Sequence, residues 1–314
     1  MKKIALLLPF AIALAACGAP DAPPVASNAP AATAPADQPA KPVPPRSAGD
    51  LAATNLDRAI AGNWRSAKDK ARDQYRHPEQ TLGFFGVKPG DTLIEITPGG
   101  GWYADILAPL LNASGHYIAA AATPAKPDGE AAHSIAALET TFKDNPSEFG
   151  NAKLIQFDPK APNLGAPGSA DKVLTFRNVH NWVMGDTAPA MFKAFFEVLK
   201  PGGTLGVVDH RAAAGADFDK IKDSGYLPQD FVIKLATDAG FKLAAQSEIN
   251  ANPKDTKDYP KGVWTLPPTL TLGDQDRAKY LAIGESDRMT LKFVKPAGDQ
   301  IFQPDGDAQP KPQP

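Results

Sequence analysis

Short apolar runs alternate with amphipathic stretches between residues 90 and 295, and this alternation predicts strands separated by helices. The run Thr92–Ile96 carries apolar residues on both faces, which is typical of a buried parallel strand. Further strands are predicted at 117–120, 152–158, 170–176, 202–209, 241–249 and 288–295. Helices are predicted at 50–82 with a break at Pro78, and at 103–111, 129–142, 188–199 and 228–240. The pattern predicts an α/β domain with a mostly parallel seven-stranded sheet and helices on both faces.

A glycine-rich stretch follows the first predicted strand. Residues 97–101 read Thr-Pro-Gly-Gly-Gly, and Glu95 precedes them by two positions. Glycines let a backbone approach a ligand closely, and the N–H groups that open the next helix point at whatever is bound. Because ligands of such sheets bind beyond the carboxyl ends of the strands, this loop is a candidate small-molecule site. A tight strand–helix turn without a ligand is the alternative.

The stretch 95–101 resembles the acidic-x-Gly-x-Gly-x-Gly motif of class I S-adenosylmethionine-dependent methyltransferases, although Thr97 stands in place of the first glycine. The stretch 195–209 is similar to the helix, turn and fifth strand of that family. The resemblance implies a Rossmann-like methyltransferase fold with S-adenosylmethionine as cofactor. The cofactor-binding residues that it implies are Glu95, Thr97, Gly99, Gly100, Gly101, Asp158, Phe176, Arg177 and Asn178.

Two positions depart from the family's pattern. Thr97 is expected to restrict the glycine-rich loop. The second strand ends in alanines at 121 and 122, where the family usually has an acid that binds the ribose hydroxyls, and no carboxylate follows until Asp128. Loss of a charge-assisted contact of that kind costs on the order of 1.5–3 kcal/mol.

Two histidines follow predicted strands at the same edge of the sheet. His180 lies after the fourth strand and His210 after the fifth, so both are candidate catalytic general bases near neutral pH. Each could instead cap a strand end through a hydrogen bond. A metal site built from both histidines and Asp209 is a further alternative, but no close metal-binding spacing supports it and no metal is predicted.

Three segments outside the predicted sheet have candidate roles. Tyr75 and Arg76 precede the first strand, where a lid over the cofactor or a plain helix end is expected. The segment 285–288 is charged and predicts an ion-pair cluster or a substrate contact. Trp264 is expected either to dock onto the domain or to meet a substrate.

The N-terminal residues have the pattern of an export signal. Lys2 and Lys3 precede an apolar run of about ten residues, which is too short to span a bilayer and predicts a signal peptide over 1–16. Leu-Ala-Ala before Cys17, the only cysteine, resembles a bacterial lipobox and implies lipidation of Cys17. A Pro/Ala-rich linker to residue 47, a methyltransferase-like domain over 48–296 and a disordered tail over 297–314 are predicted.

These observations lead to two hypotheses of function. The first is an S-adenosylmethionine-dependent methyltransferase of unknown acceptor, anchored in the bacterial cell envelope, facing the periplasm and held at the outer membrane. The second is a non-catalytic small-molecule-binding lipoprotein that keeps the fold. The segments FFGVKPG, PGGGWY, FRNVHNW and GESDRM together resemble a group of exported, predicted bacterial methyltransferases. A net charge of −2 gives no electrostatic basis for binding nucleic acid.

Overall fold

The structure is a computed structural model that describes residues 48–297. The predicted signal peptide, Cys17, the linker to residue 47 and the tail from residue 298 lie outside the described residues. Within 48–297, no helix has the length and apolar character needed to span a bilayer.

The described chain begins with helices and then alternates strands with helices. The helices are α1 Ala48–Ala61, α2 Ala67–Lys70, α3 Asp73–Arg76, α4 Pro78–Phe85, α5 Ala104–Leu111, α6 Glu130–Asp144, α7 Pro146–Phe149, α8 Val179–Met184, α9 Ala188–Val198, α10 Phe218–Ile221, α11 Gln229–Asp238 and α12 Arg277–Ile283. The strands are β1 Thr92–Ile96, β2 His116–Ala122, β3 Ala152–Phe157, β4 Ala170–Phe176, β5 Leu199–His210, β6 Lys242–Ser247 and β7 Arg288–Val294. Short 3₁₀ turns form at Lys222–Ser224 and Gly262–Thr265.

All seven predicted strands form one sheet in the order β3-β2-β1-β4-β5-β7-β6. The pairs from β3 to β5 are parallel, whereas β7 is antiparallel to both β5 and β6. Strand order reverses between β1 and β4, and such switch points are where open α/β sheets bind ligands. The predicted α/β, Rossmann-like methyltransferase fold is confirmed.

A separate apolar core covers each face of the sheet, and β1 contributes to both. Leu93 packs with the side chains of α4 and α5, and Ile94 packs with those of α9 and α11. Successive side chains of a strand point to opposite faces, so the adjacent apolar residues Leu93 and Ile94 suit burial on both sides. Glu95 in the same strand is buried as well. This arrangement confirms that helices lie on both faces.

The stretch predicted as a helix over 50–82 forms four helices, α1 to α4, and of its breaks only the one at Pro78 was predicted. Pro78 is the first residue of α4, where its missing N–H is not needed. The turn that the family resemblance implies within 195–209 forms as a loop inside β5. Ala170 pairs with Leu199 but Lys172 with Thr204, so residues 200–203 loop out, and Gly202 turns the chain with φ of 78°.

Candidate functional site

A cavity of about 310 Å³ opens at the carboxyl edge of the sheet, beyond β1, β4 and β5. The short N-terminal helices α2 and α3 and the segment 263–269 complete its walls. All the predicted site residues except Gly101 and Asp158 line it: Glu95, Thr97, Gly99, Gly100, Phe176, Arg177, Asn178, His180 and His210. The fold therefore brings residues from three separate strand ends to one space.

The loop after β1 turns through the left-handed region at three positions. The φ angles are 51° at Thr97, 58° at Gly99 and 84° at Gly101. The N–H of Thr97 donates to the carbonyl of Ala120 at 2.7 Å, which ties the turn to β2. A left-handed conformation strains a β-branched residue by about 1–2 kcal/mol. Thr97 thus takes up a glycine-like conformation at the expense of strain.

The three glycines of this loop have different surroundings. A Cβ placed on Gly99 or Gly100 would meet no protein atom within 4 Å, and both residues are exposed at the cavity. A Cβ on Gly101 would lie 2.8 Å from Cδ2 of Leu138 on α6. Packing therefore requires Gly101, whereas Gly99 and Gly100 leave open space that a ligand can occupy.

Asn178 holds the loop in place from the β4 side. Its Nδ2 donates to the carbonyl of Ile96 at 2.9 Å and lies 3.3 Å from the carbonyl of Thr97 and 3.1 Å from Oγ1 of Thr175. The Oγ1 of Thr97 is buried and has no hydrogen-bond partner among the described residues. Because buried hydroxyls are nearly always bonded, this atom indicates a missing partner next to the cavity.

Glu95 supplies a buried carboxylate to the cavity wall. It is 2% exposed, and the hydroxyl of Tyr117 donates to its Oε2 at 2.6 Å. Burial raises the pKa of Glu95 to about 7, and the Tyr117 hydrogen bond opposes that shift only in part. A cationic ligand group beside Glu95 would favour its ionised form.

Aromatic side chains form the floor between the glycine loop and the arginines. Phe176 stacks on Tyr103 with ring centroids 3.6 Å apart. The guanidinium carbon of Arg76 lies 4.6 Å from the centroid of the Trp102 ring. The Trp102 Nε1–H donates to the carbonyl of Asp69 at 3.0 Å, so this ring also fastens α2 over the loop.

His180 and His210 meet beside the fully buried carboxylate of Asp209. Nδ1 of His180 lies 2.8 Å from Oδ1 of Asp209. The Asp209 carboxylate also accepts the backbone N–H groups of both histidines, at 3.1 Å from His180 and 2.7 Å from His210. The two imidazole centroids are 4.9 Å apart, and both rings line the cavity. Nδ1 of His210 pairs with Oγ of Ser286 at 2.5 Å.

These hydrogen bonds favour a base over a strand cap for His180. An ionised carboxylate only accepts, so Nδ1 of His180 carries the hydrogen and Nε2 keeps a free lone pair. Burial of the ring holds the pKa of His210 well below its ordinary value, and the neighbouring His180 contributes to the same effect, so the ring stays neutral. The ligand atoms of His180, Asp209 and His210 lie within 4.8 Å of one another, as the metal alternative requires. However, Asp209 already accepts three N–H donors, a pattern that orients an imidazole.

A second cavity of about 400 Å³ lies on the other side of the same loop residues. It shares Thr97, Gly99 and Asn181 with the first cavity and reaches Ala122 at the end of β2. Glu130 on α6 lines it. Asp158 lies outside both cavities, where its Oδ1 accepts the backbone N–H of Lys160 at 2.9 Å. The carboxylate nearest the end of β2 in this cavity therefore comes from a helix.

Sequence reasoning missed several residues of the site. Arg72 and Trp102 line the first cavity, and Glu130 lines the second. Trp102 directly follows the glycines, so its position in the chain was an available signal. Arg72, which lies between α2 and α3, and Glu130 on α6 offered none, because residues outside the sheet reach a strand edge only through packing. Arg76 and Trp264, which had alternative roles in the sequence, also line the first cavity.

No protein-family model matches the chain, and no curated protein matches it in sequence. Solved structures do match its fold. The [4+2]-cyclase SpnF has a TM-score of 0.50 at 16% identity, covering 82% of this chain and 98% of its own. A putative sarcosine dimethylglycine methyltransferase from Galdieria sulphuraria has a TM-score of 0.49 at 12% identity, over 73% of this chain and 87% of its own. A SAM dependent methyltransferase from Aquifex aeolicus has a TM-score of 0.48 at 15% identity, over 77% and 98%.

At 16% identity, the match to SpnF shows the fold alone. Several of the matching structures are described as S-adenosylmethionine-dependent or putative methyltransferases. The chain has the Rossmann-like fold of those enzymes, with its polar residues gathered at the edge where that fold binds ligands.

Proposed function

We propose that the protein binds S-adenosylmethionine at the loop after β1 and transfers its methyl group to a small acceptor in the first cavity. The observation that carries the proposal is the open space above Gly99 and Gly100, beside the buried, unpaired hydroxyl of Thr97. Within residues 48–297 no atom fills the space above Gly100 and no group bonds the hydroxyl, and a ligand in the cavity would do both.

The residues present fit this cofactor. Glu95 offers a carboxylate to its positive charge, and the exposed backbone of Gly99 and Gly100 permits close approach. Glu130 offers a carboxylate to the ribose hydroxyls and replaces the acid that β2 lacks. When bound, S-adenosylmethionine supplies an electrophilic methyl group on a sulfonium.

His180 is the general base of the proposed reaction. With Nδ1–H held by Asp209, Nε2 accepts the proton of an acceptor hydroxyl or amine. Asp209 stabilises the imidazolium that results, as a buried carboxylate does in other His–Asp pairs. The surrounding walls from α2, α3 and 263–269 enclose part of the cavity.

A thermal melt of the full-length protein tests the cofactor site. Saturating S-adenosylhomocysteine at a hundred times its Kd adds about 2.7 kcal/mol, which raises Tm by roughly 5–10 °C for a domain of this size. Gly100→Val should abolish that rise without unfolding the protein, because its new side chain enters only the cavity. Gly90→Val is the matched control, since Gly90 is also open but lies in the turn before β1. A shift that survives Gly100→Val would reject the loop as the cofactor site.

The alternative is a binding protein that keeps the fold without turnover. The specific observation in its favour is the end of β2, where Ala121 and Ala122 line the second cavity and supply no acid. SpnF, with the same fold, is named for a cyclisation, so the fold does not require methyl transfer. A melt that shifts with S-adenosylhomocysteine, in a protein that never consumes S-adenosylmethionine, would favour this alternative.

We also propose that lipidated Cys17 anchors the domain to the periplasmic side of the outer membrane. The charged, apolar and small-residue pattern before Cys17 supports this proposal. In a bacterium that expresses the full chain, Cys17→Ser should move the protein from the membrane fraction to the soluble fraction. Retention of the variant in the membrane would reject the anchor.

A further inference from the structure

An excess of guanidinium groups surrounds one carboxylate at the first cavity. Glu285 pairs with Nε of Arg72 at 2.7 Å, Nε of Arg76 at 3.3 Å and Nη2 of Arg288 at 2.6 Å. Arg177 lies near the same cluster but forms no ion pair within residues 48–297. Arg72, Arg76 and Arg177 line the cavity, while Arg288 is buried behind it. One negative charge thus faces four positive charges.

Two of these arginines have buried nitrogen atoms without partners. Nη2 of Arg72 and Nη2 of Arg76 form no hydrogen bond with any described residue. The Arg76 side chain is only 2% exposed, so bulk water does not replace the missing partner. Buried guanidinium N–H groups are costly when unpaired and pair strongly with oxyanions. The site therefore has donors in place for an anion.

The electrostatics of the cluster agree with this geometry. Burial alone would raise the pKa of Glu285, but Arg288, Arg76 and Arg72 hold it at about 2. Burial lowers the pKa of Arg177 to about 10, and the positive charge of Arg288 is the second cause. Burial also lowers the pKa of Arg76 well below its ordinary value, and the positive charge of Arg177 is the second cause. The positive charges repel one another, and Glu285 alone does not balance them.

The other carboxylates of the cavity wall, Glu95 and Asp69, form no ion pair with these arginines within residues 48–297, although the charge of Arg76 partly opposes the rise that burial causes in the pKa of Glu95. Glu95 accepts the Tyr117 hydroxyl, and Asp69 accepts the hydroxyl of Ser66 at 2.6 Å. The cluster connects instead to the imidazoles. Ser286 Oγ lies 2.5 Å from Nδ1 of His210 and 3.4 Å from Nε of Arg288. Besides burial and His180, the charges of Arg177 and Arg76 lower the pKa of His210, so an anion bound by these arginines would lie near that imidazole.

We infer that Arg72, Arg76 and Arg177 bind an oxyanion of the acceptor substrate, a carboxylate, phosphate or sulfate group. The assignment of the anion to an acceptor substrate rests on the proposed function, whereas the anion site itself does not. The bound anion fixes the acceptor so that its hydroxyl or amine faces His180. Guanidinium forks suit such groups because two parallel N–H bonds match two oxygens. The other source of an oxyanion is the carboxylate of the cofactor, and the experiment separates the two.

Calorimetric titration of the full-length protein with inorganic phosphate tests the site without any cofactor. We expect saturable binding in a chloride buffer of matched ionic strength. Arg177→Gln should weaken phosphate binding by about ten- to a hundredfold, which corresponds to the loss of one charge-assisted hydrogen bond. Arg177 has no ion pair to break, so this variant should keep its fold. Arg177→Lys keeps the positive charge but loses the paired N–H donors of a guanidinium, so its phosphate affinity should fall between those of the wild type and Arg177→Gln. Arg58→Gln, at an exposed site on α1, is the matched control.

The same titration is then repeated with saturating S-adenosylhomocysteine. Phosphate affinity that stays unchanged supports an acceptor site separate from the cofactor. Displacement by S-adenosylhomocysteine would overturn the inference and assign the arginines to the cofactor's carboxylate. Absence of phosphate binding, or binding that Arg177→Gln leaves intact, would also overturn it. Loss of S-adenosylhomocysteine binding alone would count against the proposed function and leave the phosphate result standing.

Discussion

Nδ1 of His180 lies 2.8 Å from Oδ1 of Asp209, and the carboxylate of Asp209 is wholly buried. His180 lies on α8, which follows β4, and Asp209 is the penultimate residue of the neighbouring strand β5, so the packing of α8 on the sheet edge sets this distance. The pair presents Nε2 of His180 to the cavity in a single tautomer.

Replacement of His180 should remove the base and leave the cofactor site intact. We expect His180→Gln to lower the rate of methyl transfer to an oxyanion-bearing acceptor by about 10²–10⁴-fold. Release of S-adenosylhomocysteine measures the rate, and the thermal melt checks cofactor binding. His133→Gln, an exposed change on α6, is the control and should keep the wild-type rate.

Dialysis against a chelator before the assay should change neither the wild-type rate of methyl transfer nor the reduced rate of His180→Gln. Activity lost on dialysis and restored by a divalent cation would instead assign His180, Asp209 and His210 to a metal. An unchanged rate in His180→Gln would show that the acceptor needs no base or takes one from elsewhere.

Glu95 should make both stability and cofactor affinity depend on pH. Its pKa of about 7 exceeds the ordinary value of 4.5, so the folded state binds the proton more tightly than the unfolded state. The resulting stabilisation is complete below pH 4.5 and is lost as pH rises to 7, and it amounts to about 3 kcal/mol. A positive ligand favours ionised Glu95, so S-adenosylmethionine affinity should rise with pH and level off above 7.

Denaturant melts and calorimetry between pH 5 and pH 8 measure these two dependences. Asp105 also has a pKa raised by burial to about 7, so the Glu95→Gln variant is needed to assign the effect. In that variant the rise of affinity with pH should disappear. Persistence of the full rise would place the titrating group elsewhere.

The glycines of the loop should separate into packing and ligand positions. Gly101→Ala places a methyl 2.8 Å from Leu138 at a φ of 84°, and we expect a loss of about 1–3 kcal/mol in the free energy of unfolding. Gly100→Ala meets no atom and should unfold at the wild-type urea midpoint. Equal midpoints for both variants would contradict the distinction.

Glu130 and Asp158 should differ in their effect on the cofactor. Glu130 lines the cavity at the end of β2, whereas Asp158 lies outside both cavities. We expect Glu130→Gln to weaken S-adenosylhomocysteine binding by about ten- to a hundredfold, and Asp158→Asn to leave it unchanged. Calorimetry measures both. The reverse ranking would restore the adenine contact that the family resemblance implies for Asp158.

The sequence by itself determined the seven strands, the mostly parallel sheet and the edge at which the first cavity opens. The Thr92–Ile96 run matches β1 in both bounds, because a short apolar run after a turn is a local signal that needs no distant partner to be recognised. The glycines at 99 and 100 could be placed for a similar reason, since a strand, a turn and a helix start are local features.

Only the tertiary structure decided which side chains from outside the sheet complete the site. Arg72 meets Glu285 across 213 positions of the chain, and nothing local in either segment encodes the other. Asp209 could be read as a metal ligand or a strand end until packing set it against His180. Glu130 reaches the cavity only because α6 packs against the loop through Leu138. Periodicity depends on neighbouring residues, whereas a binding site depends on how distant elements pack.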